Sequence, residues 1–482
     1  MGKSAKKVLL LAAMLLVTQL LIMAKSNLPN FIIIFADDMG YGDLSCFGHP
    51  TIRTPNLDRM AAEGMRFTQF YVAADVCSPS RAALLTGRLP IRNGVYPGVF
   101  RTNSASGLPL SELTVAELLK LKGYKTAIVG KWHLGSQPAF LPTRQGFDYY
   151  FGIPYSNDMG KAGTFANDPS MAVYHVVNPP LPLYRNNDII EYEPDQAQLT
   201  KRYTREVIRF IRENKNNPFF VYYPNNFPHA PLYASSDYLG KSKRGIYGDV
   251  VQELDWSVGE IFNELRALNL DKNTFVVFTS DNGPWLLMKQ YGGSAGLLYE
   301  GKGSTYEGGM REPMIAWWPD KIPANVTNEA LASSLDLLPT ILNMAGIDLP
   351  KDRDYDGMDI SNLFYGKSKQ VREIMYYYHN DGILRAIRKG PWKAHFQTQL
   401  SYSSEGAVKH DPPLLYNIEN DPSEKYELGT KHPDIIRQMK QLYDHQVATV
   451  VPAESEINKT MAGAPGTSPA PKPGESPSKK AH

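Results

Sequence analysis

Four apolar runs, each about the length of one strand and each ending in polar residues, constrain this chain more than any other feature. Asn30-Phe31-Ile32-Ile33-Ile34-Phe35-Ala36 ends on Asp37-Asp38, and Tyr124 to Val129 ends on Gly130-Lys131-Trp132-His133. Pro218 to Tyr223 leads into Asn225, Asn226 and His229, and Thr274 to Ser280 ends on Asp281-Asn282-Gly283. Uninterrupted apolar runs of this kind suit strands buried on both faces, as in parallel sheets. Helical patterns alternate with them, at Asn56 to Gly64, Thr114 to Lys122, Gln198 to Asn214 and Tyr247 to Leu268. The alternation predicts a large doubly wound α/β sheet flanked by helices. Such sheets bind ligands beyond the carboxyl ends of their strands. All four polar ends then belong to one site.

At 482 residues the chain is long enough for two domains. A net charge of +2 gives no pull towards nucleic acid. Two cysteines, Cys46 and Cys77, exclude a disulfide framework. Residues 1–26 read as a signal peptide. Lys3, Lys6 and Lys7 precede an apolar run from Val8 to Met23, and a small-x-small pattern predicts cleavage after Ala24 or Ser26. Thr18 and Gln19 interrupt a run already short for spanning, so export without stable membrane insertion is expected.

A catalytic unit is expected over 27–346. Within it, Pro154 to Ala197 is rich in Asn, Pro and Asp and reads as a long surface excursion at the pocket mouth. From 347 to 452 the texture changes. Glu373 to His379, Ile383 to Arg388, Trp392 to Phe396 and Leu414 to Asn417 read as short strands, and Asp434 to Val447 as a closing helix. This predicts a smaller antiparallel α+β domain. The stretch 453–482, rich in Pro, Ala, Gly, Ser and Lys, is expected to be a disordered tail.

The chemistry centres on Cys77-Ser78-Pro79-Ser80-Arg81, continuing into Ala82-Ala83-Leu84-Leu85-Thr86-Gly87-Arg88. Ser78 reads as a helix N-cap, Pro79 as the first helical residue and Gly87 as the stop. Cys77 then lies just outside a helix N-terminus, where unpaired N–H groups favour an anion and lower a thiol's pKa. A lone cysteine in that position is more often simply buried. Asp37-Asp38 and Asp281-Asn282 are hard oxygen donors on two strand ends, a set that favours Ca²⁺ over Zn²⁺. Lys131, His133, His229 and Lys302 are individually ordinary, but together they make a cationic pocket for an anionic group. Gly301-Lys302-Gly303-Ser304-Thr305 is no phosphate-binding loop, because the first glycine of that motif is misplaced.

These segments resemble the arylsulfatase A-type sulfatases of the alkaline-phosphatase-like superfamily. The likeness runs over most of residues 29 to 430. It includes Ala36 to Asp43, Thr54-Pro55-Asn56-Leu57-Asp58, the Cys77 signature, Gly130 to Gly135, Asp281-Asn282-Gly283-Pro284 and Gly301 to Gly309, then Leu415-Tyr416-Asn417 with Asp421-Pro422. The resemblance implies a sulfuric ester hydrolase in which a maturation enzyme oxidises Cys77 to formylglycine (3-oxoalanine). One hydroxyl of its hydrate would attack sulfur. Ca²⁺ would lie on Asp37, Asp38, Asp281 and Asn282, and Asp281 would also be placed to take the nucleophile's proton. Arg81, Lys131 and Lys302 would stabilise the sulfate oxygens. His229, with Lys302, would serve the leaving oxygen. His133, oriented by Ser156, would deprotonate the second hydroxyl. Lys131, Ser156, His229 and Lys302 form the implied substrate-binding set.

The low cysteine count departs from the disulfide-bonded animal members and points to a bacterial exported enzyme, periplasmic or secreted. Cys46 reads as structural. The expected substrate is a sulfated carbohydrate or an aryl sulfate. Tyr376 to Tyr378 and Trp392 are candidates for stacking on sugar, although aromatics alternating along strands more often fill a core. Two other readings compete: a phosphoester hydrolase of the same superfamily, and a catalytically dead protein that binds sulfated glycans. The first usually holds two metals with His ligands; the second would be expected to have lost Cys77, His133 or Lys302.

Overall fold

A computed structural model describes residues 28–161 and 179–461. The expected signal peptide and the tail beyond 461 lie outside the described residues. The four apolar runs form strands β1 (Asn30–Ala36), β3 (Lys125–Val129), β7 (Phe219–Pro224) and β8 (Thr274–Ser280). They lie side by side in the order β8-β1-β7-β3, all parallel, in the middle of an 11-stranded sheet. Every residue of β1, β7 and β8 is buried. Phe31, Ile33 and Phe35 of β1 enter one core layer, while Ile32 and Ile34 enter the layer on the other face. This is the two-residue period of a strand covered on both sides.

The sheet is mixed. On one flank, β9 (Arg311–Trp317) runs antiparallel to β8 and to β2 (Met65–Tyr71). Short strands β10 (Val326–Asn328) and β11 (Ala332–Ser333) pair with β2. On the other flank, β4 (Tyr149–Gly152) is parallel to β3, and a hairpin of β5 (Pro182–Arg185) and β6 (Asp188–Tyr192) closes the edge. The hairpin corrects the reading of Pro154 to Ala197 as an excursion without regular structure. Its turn uses Asn186 at φ 56°, a left-handed conformation that asparagine tolerates. The four expected helices are present at Pro55–Glu63, Val115–Lys120, Leu199–Asn214 and Ile246–Ala267. The second of these carries a capping box at its start: Thr114 caps the Glu117 amide and Glu117 returns the bond.

A second sheet, antiparallel, orders β12 (Ile374–Tyr378), β13 (Leu384–Lys389), β14 (Trp392–Thr398) and β15 (Val408–Asn417), with the helix Pro433–Thr449 against it. Residues 453–461 do not belong to a disordered tail. They run along the loop 91–105, where the Ala453 amide donates to Ile91, Glu456 to Gly94 and Met461 to Asn103, while Ala105 donates to Lys459. A polar segment is ordered here because an irregular loop offers it backbone partners. Among the described residues, no helix is long and apolar enough to cross a membrane.

The two sheets meet over a buried charge cluster. Lys393 of β14 donates to Glu307 at 3.0 Å and lies 3.0 Å from Glu424, with all three side chains fully buried. Glu307 also accepts from the hydroxyls of Tyr71 at 2.6 Å and Tyr377 at 3.1 Å. Against the cost of burial, Lys393 and Arg311 bring the Glu307 carboxyl down to about 2. Breaking a buried pair from one side leaves its partner uncompensated. Lys393→Met is therefore expected to destabilise the protein at neutral pH by about 3–5 kcal/mol. Denaturant unfolding measures this, and adding Glu307→Gln should restore part of the loss.

Candidate active site

Backbone hydrogen bonds that continue past the strand ends bring the site together. Asp281 donates its amide to Ala36 at 3.1 Å, Asp37 to Phe227 at 3.2 Å and Lys131 to Pro224 at 2.7 Å. Gly130 makes the last approach possible: its φ is 129°, and a Cβ there would fall 2.0 Å from the Pro224 carbonyl oxygen. The nucleophile candidate comes from the helix Cys77–Thr86, buried along its whole length and ended by Gly87 at φ 66°. The helix begins two residues earlier than the sequence suggests. Val76 is the N-cap residue and Cys77 is the first helical residue, so Ser78 is not the cap. Arg81, four residues on, lies on the same face as Cys77.

Ligand atoms of Asp37, Asp38, Cys77 and His229 all lie within 4.8 Å of one another, and all four residues are buried. The Cys77 thiol points to Asp37 Oδ1 at 3.5 Å. It is not the activated thiol that its helix position suggests. Burial pushes its pKa up, with Asp281 and Asp37 adding to the effect, and Lys131 and Lys302 do not offset them.

Three cations close around the three carboxylates. Lys131 Nζ lies 2.6 Å from Asp37 Oδ2, Lys302 Nζ lies 2.7 Å from Asp38 Oδ1, and Arg81 donates to Asp281 at 2.7 and 3.0 Å. Against burial, Lys131 and Arg81 hold the Asp37 carboxyl well below its usual range. Burial and the neighbouring Asp37 push Asp281 up to about 7. Asp281 Oδ1 accepts the Asp38 amide at 3.1 Å, which fixes Asp38 at φ 61°. Asn282 donates to Asp38 Oδ1 at 2.7 Å, while its own Oδ1 is buried with no partner among the described residues. An unpaired buried carbonyl beside three carboxylates is costly unless a cation accepts it. Asp37, Asp38, Asp281 and Asn282 therefore fit a hard divalent cation.

The two histidines differ in their free nitrogen. His133 Nε2 lies 3.0 Å from the Phe100 carbonyl, which can only accept, so Nε2 carries the proton and Nδ1 is the lone-pair nitrogen. His133 Nδ1 is buried without a hydrogen-bond partner among the described residues. Burial, with Lys131 and Arg81 nearby, holds the ring well below the usual imidazole range. The expected orienting role of Ser156 is not what the geometry gives: Ser156 Oγ accepts from Lys131 Nζ at 3.2 Å. Ser78 supports His133 instead. Its hydroxyl donates to the His133 carbonyl at 2.8 Å and accepts the Phe100 amide at 3.2 Å, tying together both backbones that hold the ring. His229 reverses the pattern. Nδ1 donates to the Ala230 carbonyl at 2.5 Å, and Nε2 faces Asp38 at 3.5 Å. Burial and Lys302 lower its pKa.

The expected sugar-stacking aromatics lie elsewhere. Tyr377 and Tyr378 are buried, with their hydroxyls on Glu307 and Gln446, and Trp392 packs on His432. They belong to the small sheet's own packing. The aromatic residue beside the site is Trp285, whose ring lies 4.8 Å from Lys302 Nζ and 5.3 Å from the His229 ring. Its position three residues after Asn282 was the available sequence signal.

The Sulfatase family profile matches residues 29–347, and the profile for the C-terminal region of aryl-sulfatase matches 370–473. Human arylsulfatase A is 43% identical over 453 residues, spanning 87% of this chain and 88% of the relative. N-acetylgalactosamine-6-sulfatase from Canis lupus familiaris is 40% identical over 472 residues, spanning 89% of this chain and 88% of the relative. Among solved structures, the PsFucS1 sulfatase from Pseudoalteromonas sp. superposes with a TM-score of 0.79 at 27% identity, covering 92% of this chain and 94% of that one. A Bacteroides thetaiotaomicron 6S-sulfatase structure, described under metabolism of multiple glycosaminoglycans, gives 0.74 at 31% identity, covering 88% and 100%. With both profiles in chain order and the Cys77, Asp37-Asp38 and Asp281-Asn282 segments on one pocket, the chain belongs to the sulfatase family and is a sulfuric ester hydrolase.

Proposed function

We propose that this hydrolase is exported and removes sulfate from carbohydrate esters, using formylglycine made from Cys77 by a maturation enzyme and a calcium ion on Asp37, Asp38, Asp281 and Asn282. One observation carries the reading: the Cys77 side chain sits on Asp37 at the point where Arg81, Lys131 and Lys302 converge with three carboxylates. The basic, apolar segment 1–26 supports export. The sugar is supported by relatives named for N-acetylgalactosamine-6-sulfate hydrolysis and by a solved relative at 31% identity described in complex with a neocarrahexaose.

Hydrated formylglycine supplies one hydroxyl to attack sulfur and a second whose deprotonation expels sulfate. Calcium, when bound, supplies Lewis-acid charge. The chain's own residues do the rest. Arg81, Lys131 and Lys302 place fixed positive charge where the sulfate oxygens gain negative charge. Asp281, held by Arg81, is placed to take the attacking hydroxyl's proton. His133 accepts the second hydroxyl's proton at Nδ1, because Nε2–H is committed to Phe100. With Nδ1–H committed to Ala230, His229 presents Nε2 to the leaving oxygen and serves as its acid in the imidazolium form, which Asp38 at 3.5 Å favours. Lys302 shares that task; against burial, Asp38 holds it charged.

Peptide mass spectrometry across Cys77, on protein from a host with a maturation system, should find the aldehyde. Fully active protein with an intact thiol would falsify this mechanism. Metal analysis should find about one Ca²⁺ per chain, lost with activity in Asp281→Ala. Stoichiometric zinc with activity that survives calcium chelation would favour the phosphoester hydrolases instead.

His229 matters most when the leaving group is poor. His229→Ala should lower turnover of a sugar sulfate by about a hundredfold or more, and of an activated aryl sulfate much less. Cys77→Ala should abolish both activities. Equal losses for His229→Ala on both substrates would assign proton donation to Lys302.

Ser78→Ala frees the backbone that aims His133, and turnover should fall by about tenfold. Ser78→Thr keeps the hydroxyl and should stay near wild type. Steady-state kinetics on preparations matched for Cys77 processing make the comparison. An alanine variant as fast as wild type removes Ser78 from the positioning of His133.

A further inference from the structure

The groups assigned to the leaving oxygen also locate the rest of the substrate. That oxygen must lie within reach of His229 Nε2 and Lys302 Nζ, with the nucleophile at Cys77 on the far side of sulfur. The alcohol's carbon skeleton then extends to the surface those two residues share. Trp285 is that surface, 5.3 Å from the His229 ring and 4.8 Å from Lys302 Nζ. A second ring completes it. Tyr402 stands 6.1 Å from Trp285 at an interplanar angle of 47°, so the two rings form a corner. Tyr402 is 46% exposed, so its ring keeps an open surface beside Trp285.

Tyr402 does not come from the catalytic sheet. It lies in the loop between β14 and β15, and several independent features hold that loop over the site. Ser401 donates its hydroxyl to the Gly301 carbonyl at 3.2 Å and its amide to Glu300 at 3.1 Å. Gly303, at φ 82°, lets the ring sit close: a Cβ there would come 3.1 Å from Tyr402. Tyr402 itself has φ 50°, a conformation that is an outlier for a bulky side chain and persists only when its surroundings enforce it. Backbone strain that holds an exposed aromatic beside a reacting centre is a mark of a binding surface.

We propose that Trp285 and Tyr402 form the leaving-group subsite, which takes a sulfate ester whose alcohol is a ring with an apolar face, a pyranose foremost. The C–H face of a sugar, or an aryl ring, packs across the corner. The small sheet thereby supplies a substrate-selecting residue to a reaction performed on the large one. This inference rests on the sulfatase chemistry proposed above, because that chemistry places the leaving oxygen at His229 and Lys302.

The test separates the two halves of the substrate. Wild type, Tyr402→Ala and Tyr402→Phe are assayed on N-acetylgalactosamine-6-sulfate and on para-nitrophenyl sulfate, with inhibition by desulfated N-acetylgalactosamine and by inorganic sulfate. Tyr402→Ala should raise KM on both esters by about threefold to tenfold, with a smaller effect on kcat. It should weaken inhibition by the free sugar to a similar extent and leave inhibition by inorganic sulfate unchanged. Tyr402→Phe should restore the sugar affinity. Trp285→Ala should also lower kcat, because its ring packs on Lys302 and His229. Loss of inorganic sulfate inhibition in step with sugar inhibition would place Tyr402 in the sulfate pocket and overturn the proposal. So would an unchanged KM in Tyr402→Ala. Wild-type protein with the aldehyde at Cys77 but no turnover of either ester would instead overturn the underlying chemistry.

Discussion

The site depends on neutralising three carboxylates that have almost no access to water. Asp37, Asp38 and Asp281 are each at most 2% exposed, and like charges in a medium of low dielectric repel strongly. Each is matched by a cation from a different part of the chain. Lys131 comes from the end of β3, Arg81 from the buried helix, and Lys302 from the loop before β9. The parallel order β8-β1-β7-β3 is what makes this possible, because it sets the ends of β8, β1 and β3 on one edge of the sheet with β7 between them. Removing any member would leave buried charge less fully compensated. Fold and site therefore stabilise one another.

The central strands were legible because nothing competes with their signal: covered on both faces, they are apolar without interruption. The antiparallel strands of the large sheet were not, and β9 shows why. It contains Pro313, which normally argues against an interior strand. The structure accommodates it opposite the irregularity between Phe67 and Phe70 of β2, where the ladder needs no donor from that position. The β5–β6 hairpin was hidden by the same logic. Its flanking prolines and paired asparagines read as loop, yet Asn186 is the residue that turns it. The strand and helix positions of the small sheet were readable because turns such as Asn380-Asp381-Gly382 punctuate it.

In the site, the residues at strand ends were legible and the connections between them were not. The grip on His133 is a backbone carbonyl, Phe100, and a carbonyl has no sequence signature. Ser78 looked like a helix cap because of its place beside Pro79, but the helix starts at Cys77 and frees its hydroxyl for another task. The thiol's pKa direction was misjudged for a related reason. The helix N-terminus acts locally, whereas burial and the carboxylates are contributed by strands far away in sequence. Tyr402 is a still more distant case, brought to Lys302 by a loop of the second sheet.

The charge pairing also says what the proposed cation does beyond activating a nucleophile. In the structure all three cations proposed to act on the ester serve as counter-ions: Lys131 to Asp37, Lys302 to Asp38 and Arg81 to Asp281. A sulfate group needs those same donors, since charge-assisted hydrogen bonds to its oxygens are the strong ones. Burial and the neighbouring Asp37 push the Asp281 carboxyl up to about 7 even with Arg81 paired to it. A divalent ion on Asp37, Asp38, Asp281 and the unpaired Asn282 Oδ1 would take over the counter-ion role. Lys131 and Lys302 would then be available to the ester. On this argument the metal site and the anion pocket are one electrostatic device. Lysines proposed to bind sulfate would stay paired with aspartates until a harder cation replaced them.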